Sequence, residues 1–244
     1  MRQKDHITKI YSQYWIKAAQ KYAETNYINC FIPLLLGMLN REEFQSRSAL
    51  EVAIGTGFPV AYEIRRAGFF VTGVDLSFDL IKVCRVNGVV GDAEDLPIRS
   101  DTFAITYCLQ STWYFPSLTK ALHEMHRITA PGGYIVFDLM NRHSPRIIWH
   151  CLRNKLLKRI VFLLFNIKRV ILRQDLLDIF YHDPEIPASP RSVRAVLDAR
   201  CCSCQTLLPK DIDKVQNGMF KKRNRFLVGL SPRQIFVCRK VLRT

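Results

Sequence analysis

The segment LEVAIGTG, from Leu50 to Gly57, is the strongest indication of fold in this 244-residue chain. Its short apolar run ends in Gly-Thr-Gly, and residues 60–67 then carry apolar side chains at helical spacing. This order predicts a strand, a tight turn and a helix. Gly55 and Gly57 let the backbone of the turn approach a ligand closely, and the helix that follows points its first amides into the same space.

The alternation of strand and helix continues along the chain. Beyond the first strand at 49–54, apolar runs predict strands at 69–74, 89–91, 103–109, 134–139, 203–208 and 234–241, and helical spacing predicts helices at 78–86, 118–128 and 192–199. The last two strands follow each other without a crossover helix, which favours an antiparallel end. We therefore predict a Rossmann-like α/β fold with a mostly parallel seven-stranded sheet, helices on both faces, an antiparallel last strand and a helical insertion after the fifth strand.

The chain reads as one domain over residues 1–244, since it is 48% hydrophobic and has no repeats or low-complexity tracts. We predict four parts: N-terminal helices at 1–48 with a break near Pro33, a cofactor-binding core at 49–146, a helical cap at 147–185, and the last helix and two strands at 186–244.

The acid that follows the second predicted strand points to the kind of ligand. Asp75 lies 20 residues after Gly55, where a carboxylate can accept hydrogen bonds from both hydroxyls of a ribose. Val60 stands where a dinucleotide fingerprint has its third glycine, and no Gly-Lys-Ser/Thr sequence occurs. The glycines alone are also compatible with a structural turn, but with Asp75 they favour a nucleoside that has a short charged tail.

Four segments together resemble the motif blocks of class I S-adenosylmethionine-dependent methyltransferases, and most closely the branch that methylates small molecules and lipids. They are LEVAIGTG (Leu50–Gly57), GVDLS (Gly73–Ser77), GDAEDLPIRSDTF (Gly91–Phe103) and LHEMHRITAPGGYIVFD (Leu122–Asp138). The resemblance runs from about residue 49 to 141 and returns weakly in the last two strands. Two positions depart from the pattern: Ala53 replaces the first glycine of Gly-x-Gly-x-Gly, and Ala104 stands where an Asp commonly follows Phe.

The resemblance implies S-adenosylmethionine as the cofactor and assigns roles to individual residues. Glu51, Gly55 and Gly57 would line the methionine moiety, and Asp75 would hold the ribose. The remaining predicted contacts are Asp92 and Ala93 at the adenine amine, Leu109 and Gln110 at the methionine moiety or the acceptor, and Ala53 and Leu76 beside them.

Methyl transfer needs donor and nucleophile in near-attack geometry, so no catalytic side chain is compulsory. If the acceptor is a hydroxyl, a base helps, and His143 and His182 are the candidates from their places in the chain. An ordinary polar role is the alternative for each. Trp113 and Tyr114, after the fourth strand, are candidates for the acceptor wall or for core packing.

The distribution of charge narrows the class of partner. The net charge is +15, and residues 146–244 carry 21 Lys and Arg against 7 Asp and Glu, whereas residues 1–145 are nearly balanced. Such a field attracts a phosphate-bearing substrate, RNA or an anionic membrane surface. Residues 147–180 are apolar over much of a helical surface and interrupted by bases, which predicts a peripheral membrane contact, a buried lid or a homodimer interface.

RNA methylation is the alternative to methylation of a small-molecule or lipid acceptor. The run KKRNR, Lys221–Arg225, could neutralise phosphates. However, the chain has no recognisable RNA-binding appendage, no Asn/Asp-Pro-Pro-aromatic motif and no Pro-Cys nucleophile. Nucleic acid is therefore the less favoured partner.

The expected location is the cytoplasm, with contact to a membrane surface at most. The first residues, MRQKDHITKI, lead to no apolar run of signal-peptide length, and no stretch reaches the roughly 18–20 apolar residues of a membrane span. The eight cysteines lack paired spacing, and Cys201, Cys202 and Cys204 lie too close together to wrap a zinc ion. We expect reduced thiols and no metal site.

Overall fold

A seven-stranded sheet organises the computed structural model, which describes residues 16, 31–40, 47–153, 156, 187–198, 201–208 and 230–241. The strands are β1 (Ser48–Val52), β2 (Phe70–Asp75), β3 (Asn87–Val90), β4 (Phe103–Cys108), β5 (Thr129–Met140), β6 (Cys201–Leu207) and β7 (Arg233–Lys240). The helices are α1 (Phe31–Leu39), α2 (Val60–Arg66), α3 (Phe78–Lys82), α4 (Leu118–Ile128), α5 (described over 145–153) and α6 (Pro190–Asp198), with a 3-10 turn at Thr112–Tyr114.

The strand order is β3-β2-β1-β4-β5-β7-β6. The first five strands run parallel to their neighbours, and β7 pairs antiparallel with both β5 and β6. The predicted fold class is therefore confirmed, including the antiparallel end. Strands β1 to β5 end at one edge of the sheet, which we call the carboxyl edge, and β7 begins there.

Two apolar layers cover the faces of the sheet. Helices α1 and α2 pack on one face against β1, β4, β5 and β7, whereas α4 and α6 pack on the other. All five residues of β1 are buried, because neighbouring side chains point to opposite faces and meet both layers. The residues that follow β1 are thereby held at the centre of the carboxyl edge.

Pro33, near which a break is expected, is the third residue of α1, a position at which a missing N–H costs no helical hydrogen bond. Residues 17–30 lie outside the described ranges, so the break stays a prediction. Two other predictions need correction. Helix α3 ends at Lys82 instead of residue 86, and β5 begins at Thr129 instead of residue 134. Most of the predicted cap, as well as His182 and Lys221–Arg225, lies outside the described residues.

One pair of cysteines contradicts the expectation of reduced thiols. Cys204 and Cys238 are directly opposite on antiparallel β6 and β7, and they form a disulfide. Opposed residues on such strands bring their side chains close together, a register that spacing in the sequence does not reveal. Among the described cysteines, Cys84 and Cys108 are free thiols.

A buried lysine ties the end of β7 to the edge opposite the carboxyl edge. Lys240 Nζ lies 2.7 Å from Asp101 Oδ1 and donates to the carbonyls of His126 and Thr129, each at 2.7 Å. The buried ammonium group thus donates hydrogen bonds to one carboxylate and two carbonyl oxygens, all from parts of the chain outside β7. These bonds compensate for the water that the group loses on burial.

Replacing this lysine tests its contribution to stability. Lys240→Met removes the hydrogen bonds from Nζ to the Asp101 carboxylate and to two carbonyls, so we expect the free energy of unfolding in urea to fall by about 3 kcal/mol. Lys120→Met, at an exposed lysine of α4, is the matched control and should change it by less than about 0.5 kcal/mol. Equal stability of the two variants would contradict this role for Lys240.

Candidate active site

The turn between β1 and α2, residues 53–57, is the geometric centre of the site, and we call it the glycine turn. Ala53, Gly55 and Gly57 all have positive φ, at 57°, 59° and 69°. A Cβ added at Gly55 would meet no described atom within 4 Å, so this residue borders open space. A Cβ at Gly57 would lie 3.1 Å from the sulfur of Cys84, which means that Gly57 also serves packing.

Asp75, the last residue of β2, fixes the shape of the glycine turn. Its Oδ2 accepts the Gly55 N–H at 2.9 Å, and its Oδ1 accepts the Ser77 N–H at 2.9 Å. Burial raises the pKa of Asp75 above its ordinary value, while the backbone N–H groups lower it. Each carboxylate oxygen has a second lone pair, which leaves acceptor capacity for a ligand.

Glu51 lies beneath the glycine turn on β1 and is buried. Its register partner on β4 is Tyr107, whose side chain is fully buried. Within the described part of the chain, neither Glu51 Oε2 nor the Tyr107 hydroxyl makes a hydrogen bond of acceptable geometry. Burial raises the pKa of Glu51 to about 8, against the lowering effect of the adjacent Tyr107 hydroxyl, and the charge of Asp75 adds to the rise.

The loop after β3 brings Asp92 and Ala93 to the same edge. Gly91 N donates to the Asp75 carbonyl at 3.0 Å, which joins this loop to the end of β2. Asp92 Oδ1 accepts the Glu94 N–H at 3.0 Å. Glu94, interpreted from sequence as a plain loop residue, accepts the Ser117 N–H at 2.6 Å and so fastens the loop to the start of α4.

Leu76 and Leu109 occupy different surroundings. Leu76 follows Asp75 and is 39% exposed, so it can cover a ligand bound above β2. Leu109 is buried in the layer that contains α1 and α2. The structure therefore places Leu109 in the core of that layer, with its backbone leading into the turn after β4.

The turn after β4 is held by a carboxylate that the sequence analysis did not single out. Gln110 has a φ of 59°, and its N–H donates to Asp138 Oδ1 at 2.6 Å. Thr112 Oγ1 donates to the Asp138 carbonyl at 2.6 Å. Asp138 is fully buried on β5 within the apolar run YIVFDLM, and an acid in such a run is the sequence feature that could have indicated it.

Arg233 is the second residue that sequence reasoning missed. Its Nη1 lies 3.4 Å from Asp138 Oδ2, and its guanidinium carbon lies 4.4 Å from the centre of the Trp113 ring. Trp113 itself packs with Met140 and Ile147 in a small apolar cluster. Because β7 is antiparallel, its first residue stands at the carboxyl edge, a consequence of topology that spacing alone does not give.

His143 lies near this edge but outside the buried cluster. Its side chain is exposed, its Nε2 is 3.1 Å from Ser189 Oγ, and its backbone N–H donates to Asn141 Oδ1 at 3.0 Å. The sequence-predicted residues around Glu51, Gly55, Asp75 and Asp92 are thus brought together, whereas His143 stands at the periphery.

The arrangement has a definite chemical character. Three acids, Glu51, Asp75 and Asp138, stand at or near the ends of β1, β2 and β5. Open space borders Gly55, and Glu51 Oε2 has no hydrogen-bond donor among the described residues. Such an edge suits a ligand with hydroxyl or ammonium donors and a positive charge.

Comparison with known proteins shows a family match and several curated relatives. Residues 50–137 match the family model described as a methyltransferase domain. Malonyl-[acyl-carrier protein] O-methyltransferase of Pectobacterium atrosepticum is 37% identical over 93 residues, which are 36% of this chain and 36% of the relative. Fatty-acid O-methyltransferase of Mycolicibacterium smegmatis is 30% identical over 125 residues, 47% of this chain and 45% of the relative. The matched segments span less than half the length of these curated relatives.

The fold also has solved counterparts. A crystal structure of a SAM-dependent methyltransferase from Archaeoglobus fulgidus matches with a TM-score of 0.59, 13% identity and coverage of 93% of this chain and 99% of that chain. At this identity the likeness shows the fold. Within the described ranges, no helix is long and apolar enough to cross a membrane.

The buried Glu51 carboxyl makes stability depend on pH. Its pKa is raised from 4.5 to about 8, so the folded protein keeps a proton that the unfolded chain releases. The free energy of unfolding should therefore fall as pH rises between these two values, by up to about 1.4 kcal/mol per pH unit, and level off above.

Glu51→Gln keeps the shape and removes the titration, so its pH dependence should be flatter. We expect wild type to lose about 2 kcal/mol more than Glu51→Gln between a pH of about 6 and 7.5, measured by urea unfolding without ligand. Glu63→Gln, in a surface ion pair of α2, is the control and should behave like wild type. Parallel pH profiles of wild type and Glu51→Gln would contradict the raised pKa.

Proposed function

We propose that this chain, which carries a class I S-adenosylmethionine-dependent methyltransferase domain, transfers a methyl group to a small-molecule or lipid acceptor. The family match and the shared fold imply S-adenosylmethionine as its cofactor. The observation that carries the proposal is the group formed by the glycine turn, the Asp75 carboxylate and the buried Glu51 carboxyl.

The residues present fit this cofactor. Asp75 has the acceptor capacity for both ribose hydroxyls, and Gly55 leaves room for close approach to the turn. The unsatisfied Oε2 of Glu51 would accept a hydrogen bond from the methionine ammonium, which would favour the ionised carboxylate. We assign Asp92 and Ala93 to the adenine, and the remaining predicted contacts, Ala53, Gly57, Leu76, Leu109 and Gln110, to the surrounding wall.

The protein's contribution to the reaction is positional. When bound, S-adenosylmethionine supplies an electrophilic methyl group on a sulfonium. Asp75 and the glycine turn fix one end of the site, and the turn after β4, held by Asp138, fixes the other. Orientation of this kind yields large effective molarities without a dedicated acid or base.

Support for a small-molecule or lipid acceptor comes from the relatives and from the apolar wall. The two relatives described above are named for a fatty acid and for a malonyl group on acyl-carrier protein. Trp113, Met140 and Ile147 form an apolar cluster at the carboxyl edge in this chain. His143 remains a candidate base, but only a hydroxyl acceptor would need one. Its exposed ring contacts Ser189.

Binding of the cofactor product tests the proposal. Asp75→Ala removes the proposed acceptor of two ribose hydroxyls, so S-adenosylhomocysteine should bind about 100-fold more weakly in calorimetry, a loss of about 3 kcal/mol. Asp79→Ala, at an exposed acid of α3, is the matched control and should bind as wild type. Urea unfolding of Asp75→Ala and Asp75→Asn checks that the fold persists. Tight NADH binding without any response to S-adenosylhomocysteine would contradict the assignment.

A peripheral membrane contact is supported by one face of α5. Ile148, Trp149 and Leu152 are 46%, 67% and 57% exposed, and Leu156 beyond them is 61% exposed. Arg146 and Arg153 are exposed on the same helix. An apolar face flanked by bases is typical of a helix that lies in an anionic lipid interface.

Sedimentation with liposomes tests this contact. Binding to anionic vesicles should exceed binding to neutral ones and fall as salt rises, because each base near such a surface contributes about 1 kcal/mol. Trp149→Ser combined with Leu152→Ser should abolish it, whereas Phe70→Ser, an exposed aromatic at the start of β2, should not. If both variants sediment like wild type, the contact does not involve α5.

The notable alternatives are a homodimer through α5 and methylation of RNA. A homodimer through α5 would show as a concentration-dependent mass that Trp149→Ser combined with Leu152→Ser lowers, without sedimentation on lipid. RNA methylation rests on the basic run at 221–225, which lies outside the described residues, so no contact in the structure favours it.

A further inference from the structure

We propose that Arg233, stacked on Trp113 and held by Asp138, binds the carboxylate of an acceptor that has an apolar tail. This inference rests on the proposed function, because it names the acceptor class of the same site. It concerns recognition of the acceptor and goes beyond the contacts assigned to the cofactor.

The position of Arg233 follows from the topology. It is the first residue of β7 and is paired in register with Met140, the last residue of β5. A side chain there stands at the carboxyl edge, and Arg233 reaches the turn after β4 through its contact with Trp113. Two contacts of Asp138 connect the cation to that turn: 2.6 Å to the Gln110 N–H and 3.4 Å to Arg233 Nη1.

Asp138 fixes the orientation of the guanidinium. It is fully buried on β5, so its carboxylate cannot swing into solvent to follow the arginine. The guanidinium carbon also lies 4.4 Å from the centre of the Trp113 ring, a cation–π contact that gives Arg233 a second partner. A planar group with five donors, oriented in this way, suits a carboxylate better than a neutral hydroxyl.

Trp113 contributes a second donor. Its side chain is 3% exposed, and its Nε1 has no hydrogen-bond partner among the residues that the structure describes. A buried indole N–H normally has a partner, so this one is a candidate to donate to a ligand. Arg233 contacts the same ring, so both donors belong to neighbouring side chains at the carboxyl edge.

The apolar tail is inferred from the surroundings of the two donors. Trp113 packs with Met140 and Ile147, and partly buried Tyr114 and Cys151 adjoin them. Ile147, on α5, is buried in this cluster. The partly buried Tyr114 and Cys151 side chains form its accessible margin, along which the tail of a fatty-acid-like molecule would lie.

A carboxylate acceptor also fits the site chemically. Carboxylic acids are ionised at neutral pH, so the acceptor oxygen needs no base to remove a proton. The peripheral place of His143 is then no obstacle to methylation. A hydroxyl acceptor, in contrast, would need a base closer to the buried cluster.

Calorimetry with decanoate and decanol, with and without S-adenosylhomocysteine, tests the proposal by binding alone. Wild type should bind decanoate at least 10-fold more tightly than decanol. Arg233→Gln should weaken decanoate binding at least 10-fold and leave decanol unchanged, and Arg233→Lys should be intermediate. Trp113→Phe, which keeps a ring but removes the N–H, should weaken decanoate several-fold. Arg239→Gln, at the far end of β7, is the matched control and should have no effect.

The outcomes separate this proposal from the proposed function. Normal S-adenosylhomocysteine binding with decanoate affinity unchanged in Arg233→Gln, or with no decanoate binding to wild type, would overturn the acceptor site alone. Arg233-dependent decanoate binding without any S-adenosylhomocysteine binding would support the carboxylate site and overturn the cofactor assignment. Tighter binding of malonyl-pantetheine than of decanoate would overturn the apolar-tail part.

Discussion

The hydrogen bond from the Gly55 N–H to the Asp75 carboxylate, at 2.9 Å, is the contact on which the site depends. It joins the turn after β1 to the end of β2 and holds a backbone with three positive φ angles in one shape. The same carboxylate receives the Ser77 N–H, which starts α3. A single acid therefore positions two neighbouring loops around the open space at Gly55.

A second carboxylate, on β5, holds a turn at the carboxyl edge in the same way. Asp138 holds the turn after β4 as Asp75 holds the glycine turn, and each acid accepts the N–H of a residue with positive φ, Gln110 or Gly55. Glu51 lies between them on β1 and, without a ligand, keeps its proton up to a pH of about 8. The Asp75 carboxylate suits a cationic methyl donor better than a pyrophosphate. Arg233 adds the positive charge needed for an anionic acceptor on the β5 side.

The parallel sheet could be predicted because apolar periodicity and glycine positions indicate where strands, turns and helices alternate. The glycine turn and Asp75 belong to the same local pattern and could be predicted with it. The short α3 was mispredicted because packing decides where a helix ends. Tyr107, Asp138 and Arg233 were missed because their roles arise from pairing between distant strands. The register of Glu51 with Tyr107, or of Met140 with Arg233, has no counterpart in sequence spacing.

We propose that the carboxyl edge holds an S-adenosyl group with its methyl position toward the turn after β4. A crystal structure of the protein with S-adenosylhomocysteine would locate this group. We expect both ribose hydroxyls on the Asp75 carboxylate and the methionine ammonium within hydrogen-bond distance of Glu51. Density for the ligand at another place, or with its ribose away from Asp75, would show that the proposed site is wrong.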